Sequence, residues 1–223
     1  MIKNIMPDGL TIETSELDKN FILFTPEQRK NLERNGYAIY RLTGKTIGEL
    51  RAAGNSFIPS SYMFDSKVAR SVSAEVAIDP KALYLKDSQN KTLKEQMKMM
   101  EEHAKSIRKK FPGLTAIVGS APDYAELAFQ HLKATGVRLF GSEDGSPDAY
   151  VSPRTCTTSY VGQDRFGIYY SSVGGHEEFQ GLHITIRKPD QRWTDVYAAP
   201  LIVSASVENH DPLRYLLTEY LTK

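Results

Sequence analysis

A mixed α+β fold is what this sequence predicts, and three observations predict it. Four segments carry helix-start chemistry. Apolar runs of strand length alternate with those helices between residues 75 and 140. After Gly141 the helical signals give way to β-prone runs divided by Gly, Asp and Pro clusters. The expected architecture is a βαβαβ segment extended by antiparallel strands, with a small N-terminal helical cap and a C-terminal amphipathic helix.

The helix starts are the firmest of these signals. Thr25-Pro26-Glu27-Gln28 is a Thr-x-x-Gln capping box with proline at the first helical position. Thr46-Ile47-Gly48-Glu49 and Thr92-Leu93-Lys94-Glu95 are Thr-x-x-Glu boxes, and Ser120-Ala121-Pro122-Asp123 is a Ser-x-x-Asp variant. In each, the first side chain can accept from an orphan backbone N–H, and the acid sits at the positive end of the helix. The ends are marked by Asn35-Gly36, Gly54, Pro112-Gly113 and Gly136. The third helix, 93–111, carries Leu93, Met97, Met100, Ala104, Ile107 and Phe111 at alternating spacings of four and three. That stripe reads first as a core face, although Met97 and Met100 would also suit an adaptable partner-binding face.

The strands are read from short β-prone runs. Segment 37–42 follows the first helix, 75–79 precedes the long one, 114–118 follows it and 137–140 follows the fourth. Residues 75–140 therefore read β-α-β-α-β, a parallel unit with right-handed crossovers. The polar connection 79–91 is expected to run over the surface. Beyond the turn-rich stretch 141–148, the runs 156–161, 166–173, 182–187 and 196–204 suggest an antiparallel meander. Pro200 removes a ladder donor from the last, which favours an edge strand, a bulge or two shorter strands. Asp211 and Pro212 open a closing helix with Leu213, Leu216, Leu217, Tyr220 and Leu221 on one face. No linker or repeat interrupts the chain, so 1–223 is expected as one domain. Its parts are a helix and strand cap (1–55), the βαβαβ segment (56–141) and an antiparallel half with the last helix (142–223).

Composition bounds the function. A chain of 223 residues, 40% apolar and 25% charged, can bury a sizeable core without staples. Its single cysteine excludes an intramolecular disulfide framework and suits a reducing compartment. The N-terminal stretch lacks the apolar run of a secretory signal, and no stretch approaches the length of a membrane span. The expected location is the cytoplasm. A formal charge of +1 gives no whole-molecule field to draw in nucleic acid or an anionic membrane.

Several constellations are candidates for chemistry. The turn Gly119-Ser120-Ala121 joins an apolar run to a helix N-terminus, where free N–H groups at Ala121 and Asp123 would bind a carboxylate or phosphate. It has neither the Gly-x-Gly-x-x-Gly nor the Gly-x-x-x-x-Gly-Lys pattern, Pro122 lacks a donor, and Asp123 already places a negative charge there. A plain capped helix explains it as well. The stretch 174–183 holds His176, Glu177 and His183 in what reads as a polar, glycine-hinged hairpin loop. Those side chains are metal ligands by type, but their spacing matches no metal motif. No metal and no cofactor is expected.

Cys156 is a candidate nucleophile, with Arg154 or Arg165 to lower its pKa and His131 or His183 as base. A lone cysteine in a β-prone run is more simply a small buried hydrophobe. His131 lies in register with Tyr124, Leu127 and Ala128 on an apolar helix face, where a hydrogen-bonded core histidine is the plainer account. Trp193 beside Arg192, with Tyr169 and Tyr170 nearby, would make a stacking platform for a ligand or for bases.

The leading expectation is a non-catalytic binding or accessory module for a protein or small ligand. Its expected ligand-binding residues are Gly119, Ser120, Ala121, Tyr169, Trp193 and Arg154. One alternative is a hydrolase or transferase with a cleft between the Gly119-Ser120 turn and the His176–His183 loop, using Cys156, His183, Glu177 or His131. Another is a nucleic-acid-associated protein with one basic face holding Lys105, Arg108, Lys109, Arg187 and Arg192. The net charge disfavours the last. No membrane partner is expected, and the N-terminal arm would permit a homo-oligomer.

Overall fold

In the structure, a computed structural model, residues 21–57, 69–140, 151–159, 169–177 and 181–208 are described. Along the chain the elements are α1 (Pro26–Arg34), β1 (Ala38–Thr43), α2 (Ile47–Ala52), β2 (Ser73–Ile78), α3 (Leu93–Lys110), β3 (Leu114–Val118) and α4 (Ala121–Thr135). They continue with β4 (Ser152–Ser159), β5 (Tyr169–Glu177), β6 (Gly181–Arg187), β7 (Val196–Tyr197), β8 (Pro200–Ser204) and α5 (Ala205–Glu208). The fold is α+β. Helices α1 to α4 each begin with the expected capping box, both halves of it formed. Gly136, at φ 73°, closes α4 in the left-handed region that glycine enters without penalty.

The strands form two four-stranded sheets, ordered β1-β2-β8-β3 and β6-β5-β4-β7. In the first, every neighbouring pair is antiparallel. β2 and β3 therefore run the same way with β8 between them, and α3 makes the crossover. Alternation along the strands divides the core. Val76, Ile78, Ile117, Leu201 and Val203 meet α2, α4 and the β6 residues Leu182 and Ile184 on one face. Ala77, Leu114, Ala116, Val118 and Ile202 meet α1 and α3 on the other. Burial on both faces is why these strands read as nearly continuous apolar runs.

Several expectations are corrected. Segment 137–140 forms no strand, so the expected βαβαβ pattern stops after α4. Its backbone turns locally instead, with Val137 N–H donating to Thr135 Oγ1, and Phe140 is buried edge-on to Tyr124. The N-terminal strand joins the first sheet, β1 pairing with β2 from Ala38–Ile78 to Thr43–Ser73. Connection 79–91 does run largely over the surface, with Pro80, Lys81, Ala82, Lys86, Asp87 and Asn90 exposed, and it is tied down at two points. Leu85 N–H donates to Ala198 O, and the buried Ser88 Oγ accepts from Ala198 N–H.

The run 196–204 splits into two short strands belonging to different sheets, and β8 is central rather than an edge. Pro200 is tolerated because it is the first residue of its strand, where a missing N–H interrupts no ladder. The second sheet is not a pure meander, since β4 and β7 are parallel. Most of the supposed 174–183 loop is strand, with Gly174 opposite His183 and Glu177 opposite Gly181. A side chain at Gly181 would put its Cβ 2.2 Å from Ser56 O, so only glycine lets the two segments meet there. The expected closing helix 211–221 and the arm 1–20 lie outside the described residues. Among the described residues no helix is long and apolar enough to cross a membrane.

Candidate functional site

The Gly119-Ser120 turn is filled from within. Gly119 N–H donates to Tyr124 Oη (3.0 Å), Ser120 N–H to Asp123 Oδ2 (2.6 Å) and Ala121 N–H to Thr157 Oγ1 (2.8 Å). Asp123 N–H donates to Ser120 Oγ at 3.2 Å. The donors expected to be free at Ala121 and Asp123 are committed to the fold, so Gly119, Ser120 and Ala121 make no anion cradle. Ser120 Oγ also donates to Arg70 O, and the buried Asp123 accepts from Val72 N–H. The motif anchors the entry to β2 instead of a ligand. Glu126, one turn on, does the same, accepting from Thr43 N–H, Thr43 Oγ1 and Ser71 Oγ.

Of the catalytic candidates, Cys156 and His131 lie apart. Cys156 is buried on the α3 side of the first sheet, and its N–H donates to Gly119 O. His131 is on α4, on the opposite face of that sheet, with Nδ1 2.5 Å from the Tyr40 hydroxyl. Burial lowers the His131 pKa and raises that of Tyr40, so the pair is neutral. A strand layer separates the thiol from this imidazole, which removes His131 as its base. His183 is half-buried on β6. The side chains of Tyr169, His176 and Glu177 lie outside what the structure describes. Among the described residues, no group of three or more His, Cys, Asp and Glu side chains gathers as a metal ion requires.

What the structure does single out is Arg154. Its side chain is among the largest that are fully buried, with the residue 2% exposed. Only Nε is engaged, donating to Gln96 Oε1 at 2.6 Å. Nη1 and Nη2 are both buried and have no hydrogen-bond partner among the described residues. Gln96 is itself fixed, because its Nε2 donates to Ser88 O (2.7 Å) and Val196 O (2.9 Å). Its oxygen is thereby forced toward the guanidinium. Burial lowers the Arg154 pKa to about 10, the Arg187 charge adds to that, and Asp195 opposes it. Arg154 therefore remains a cation at neutral pH.

The surroundings are rich in donors. Arg187 pairs with Asp195 at 2.9 Å, and its guanidinium lies 4.3 Å from the centre of the Trp193 ring. Arg187 Nε and Trp193 Nε1 are further buried donors with no partner among the described residues. The turn carrying Trp193 is tied to the start of α3: Leu93 N–H donates to Pro189 O, Asn90 N–H to Trp193 O, and Arg192 pairs with Glu95. Tyr84 lies 5.0 Å from Tyr197, the β7 residue paired with Pro153, and its buried hydroxyl is also without a partner there.

Two expected ligand-binding residues, Arg154 and Trp193, thus fall in one neighbourhood. Trp193 is not the exposed platform expected for bases. It is half-buried with a cation on one face. The expected basic face is also divided. Arg192 pairs with Glu95 near the start of α3, whereas Lys105 and Arg108 lie toward its end, and Lys105 pairs with Glu101. The thirteen helical steps from Glu95 to Arg108 span about 20 Å.

Sequence reasoning missed Gln96, Arg187 as a site residue, and Asp195. Gln96 had a signal, since it is a polar residue in register with Leu93 and Met100 on the apolar stripe of α3. Comparison with protein-family models, with curated proteins and with solved structures finds no match to this chain.

Proposed function

We propose that the chain is a non-catalytic, cytoplasmic binding module for a small ligand bearing an anionic group, held at Arg154. The observation that carries the reading is the pair of buried η nitrogens without partners. A desolvated cation with idle donors is costly in the free protein and favourable once an anion takes its place beside them. Arg187, Asp195 and the Trp193 ring supply the flanking charge and an apolar surface. Arginine is suited to the task because its planar fork keeps its charge when buried.

The test uses Trp193, the only tryptophan in the chain, as a reporter built into the site. Protein purified from its natural host is denatured, and the released small molecules are profiled by mass spectrometry. An anionic compound present in about stoichiometric amount, which quenches or shifts Trp193 emission when added back, is the expected result. It should be absent from Arg154→Gln protein prepared in the same way. Equal recovery from both proteins, together with emission unmoved by any recovered anion, would overturn the reading.

A further inference from the structure

We infer that the anionic group of the ligand is a single carboxylate, bound end-on by Nη1 and Nη2 of Arg154. The inference rests on the binding reading above and narrows its chemistry. One feature of the site fixes how the anion is held, and a second selects a carboxylate over a phosphate or sulfate.

The first is the fork. A guanidinium offers a carboxylate either its side, using Nε and one Nη, or its end, using both Nη atoms. Gln96 Oε1 already takes the Nε hydrogen at 2.6 Å, which closes the side. The oxygen cannot turn away, because Gln96 Nε2 is tied to Ser88 O and Val196 O. The end remains, with two roughly parallel N–H groups at the spacing of two carboxylate oxygens.

The second is charge. Among the described residues the cluster holds two guanidiniums, Arg154 and Arg187, and one carboxylate, Asp195, which pairs with Arg187 at 2.9 Å. One positive charge is left over. A monoanion cancels it and leaves a neutral buried site. A phosphate dianion or sulfate would leave a net negative charge out of water, at a desolvation cost that the remaining donors do not repay. The nearby spare groups Arg187 Nε and Trp193 Nε1 are all donors, as a carboxylate's remaining lone pairs require.

The experiment titrates wild-type protein with acetate, benzoate, inorganic phosphate and sulfate at constant ionic strength, reading Trp193 emission and calorimetric heat. Arg154→Lys, which keeps the charge and loses the fork, and Arg154→Gln are titrated alongside after circular dichroism has shown them folded. Saturable carboxylate binding is expected, at least about tenfold tighter than phosphate or sulfate. Arg154→Lys should weaken it about tenfold or more, and Arg154→Gln should abolish it. If either variant fails to fold, arginine side-chain NMR of the wild type takes its place. Acetate should then shift the Nη signals of one arginine and leave the others unmoved. Tighter binding of phosphate, with the same dependence on Arg154, would overturn the carboxylate and leave the anion-binding reading standing. No anion binding, or binding equal in wild type and Arg154→Gln, would overturn both.

Discussion

Arg154 is expensive where it stands. Its guanidinium has left water, Gln96 supplies one acceptor, and Asp195 is already paired with Arg187. A buried charge that is fully paired costs about 3–5 kcal/mol when one partner is removed, whereas an uncompensated one is better replaced by an apolar group. Arg154→Met should therefore stabilise the ligand-free protein by about 1–2 kcal/mol, even after Gln96 Oε1 loses its donor at roughly 1 kcal/mol. Urea denaturation of both proteins measures this. A loss of about 3 kcal/mol or more would mean that the guanidinium is satisfied and serves the fold. The sequence showed Arg154 only as a cation beside Cys156. Its idle nitrogens depend on Gln96, 58 residues away, and no local pattern reports a partner at that distance.

At the scale of elements, the caps of α3 and α4 differ in what else they hold. Thr92 closes a box at a partly buried helix start, and Thr92→Ala should cost about 1 kcal/mol, as an ordinary cap does. Asp123 is buried and accepts from both Ser120 N–H and Val72 N–H, the second across 51 residues of chain. Asp123→Ala strands two donors, each worth about 1–3 kcal/mol, so a loss of about 2–4 kcal/mol is expected. Denaturant midpoints of the two variants compare them directly. Equal losses would show that the Val72 bond adds nothing to the cap. These caps were legible in the sequence because a capping box is written within four residues. The central place of β8 was not, since Pro200 signals where a ladder donor is missing and is silent on which strands flank it. Nor was the absence of a strand at 137–140. There the β propensity of Val137, Leu139 and Phe140 lost to the burial of Phe140 and a local Thr135 turn.

For the whole molecule, the titrating groups combine into one stability profile. Burial lowers the pKa of His103 and His131 below the ordinary 6.5. The unfolded chain therefore takes up their protons first, and stability falls as pH drops through about 6.5 toward the folded values. The depressed carboxylates act lower down. Glu95 is held at about 2, chiefly by Thr92 N–H, then by the Thr92 hydroxyl and Arg192. Glu49 is lowered first by Thr46 N–H and then by Arg70, and Glu101 by Lys105. Their contributions are complete above the ordinary 4.5 and are lost as pH falls toward each group's lowered folded value, about 2 for Glu95. In alkali, burial raises the phenols of Tyr37, Tyr40 and Tyr84, so stability declines as pH rises above the ordinary 10.0. The urea midpoint should be level between about pH 7 and 9 and should fall in two acid stages, one below about 6.5 and one below about 4.5. In a His103→Gln, His131→Gln double variant the upper stage should vanish while the lower one stays. If the variant's midpoint still falls between pH 7 and 5.5 as steeply as the wild type's, burial of these two imidazoles does not set the acid limit of the fold.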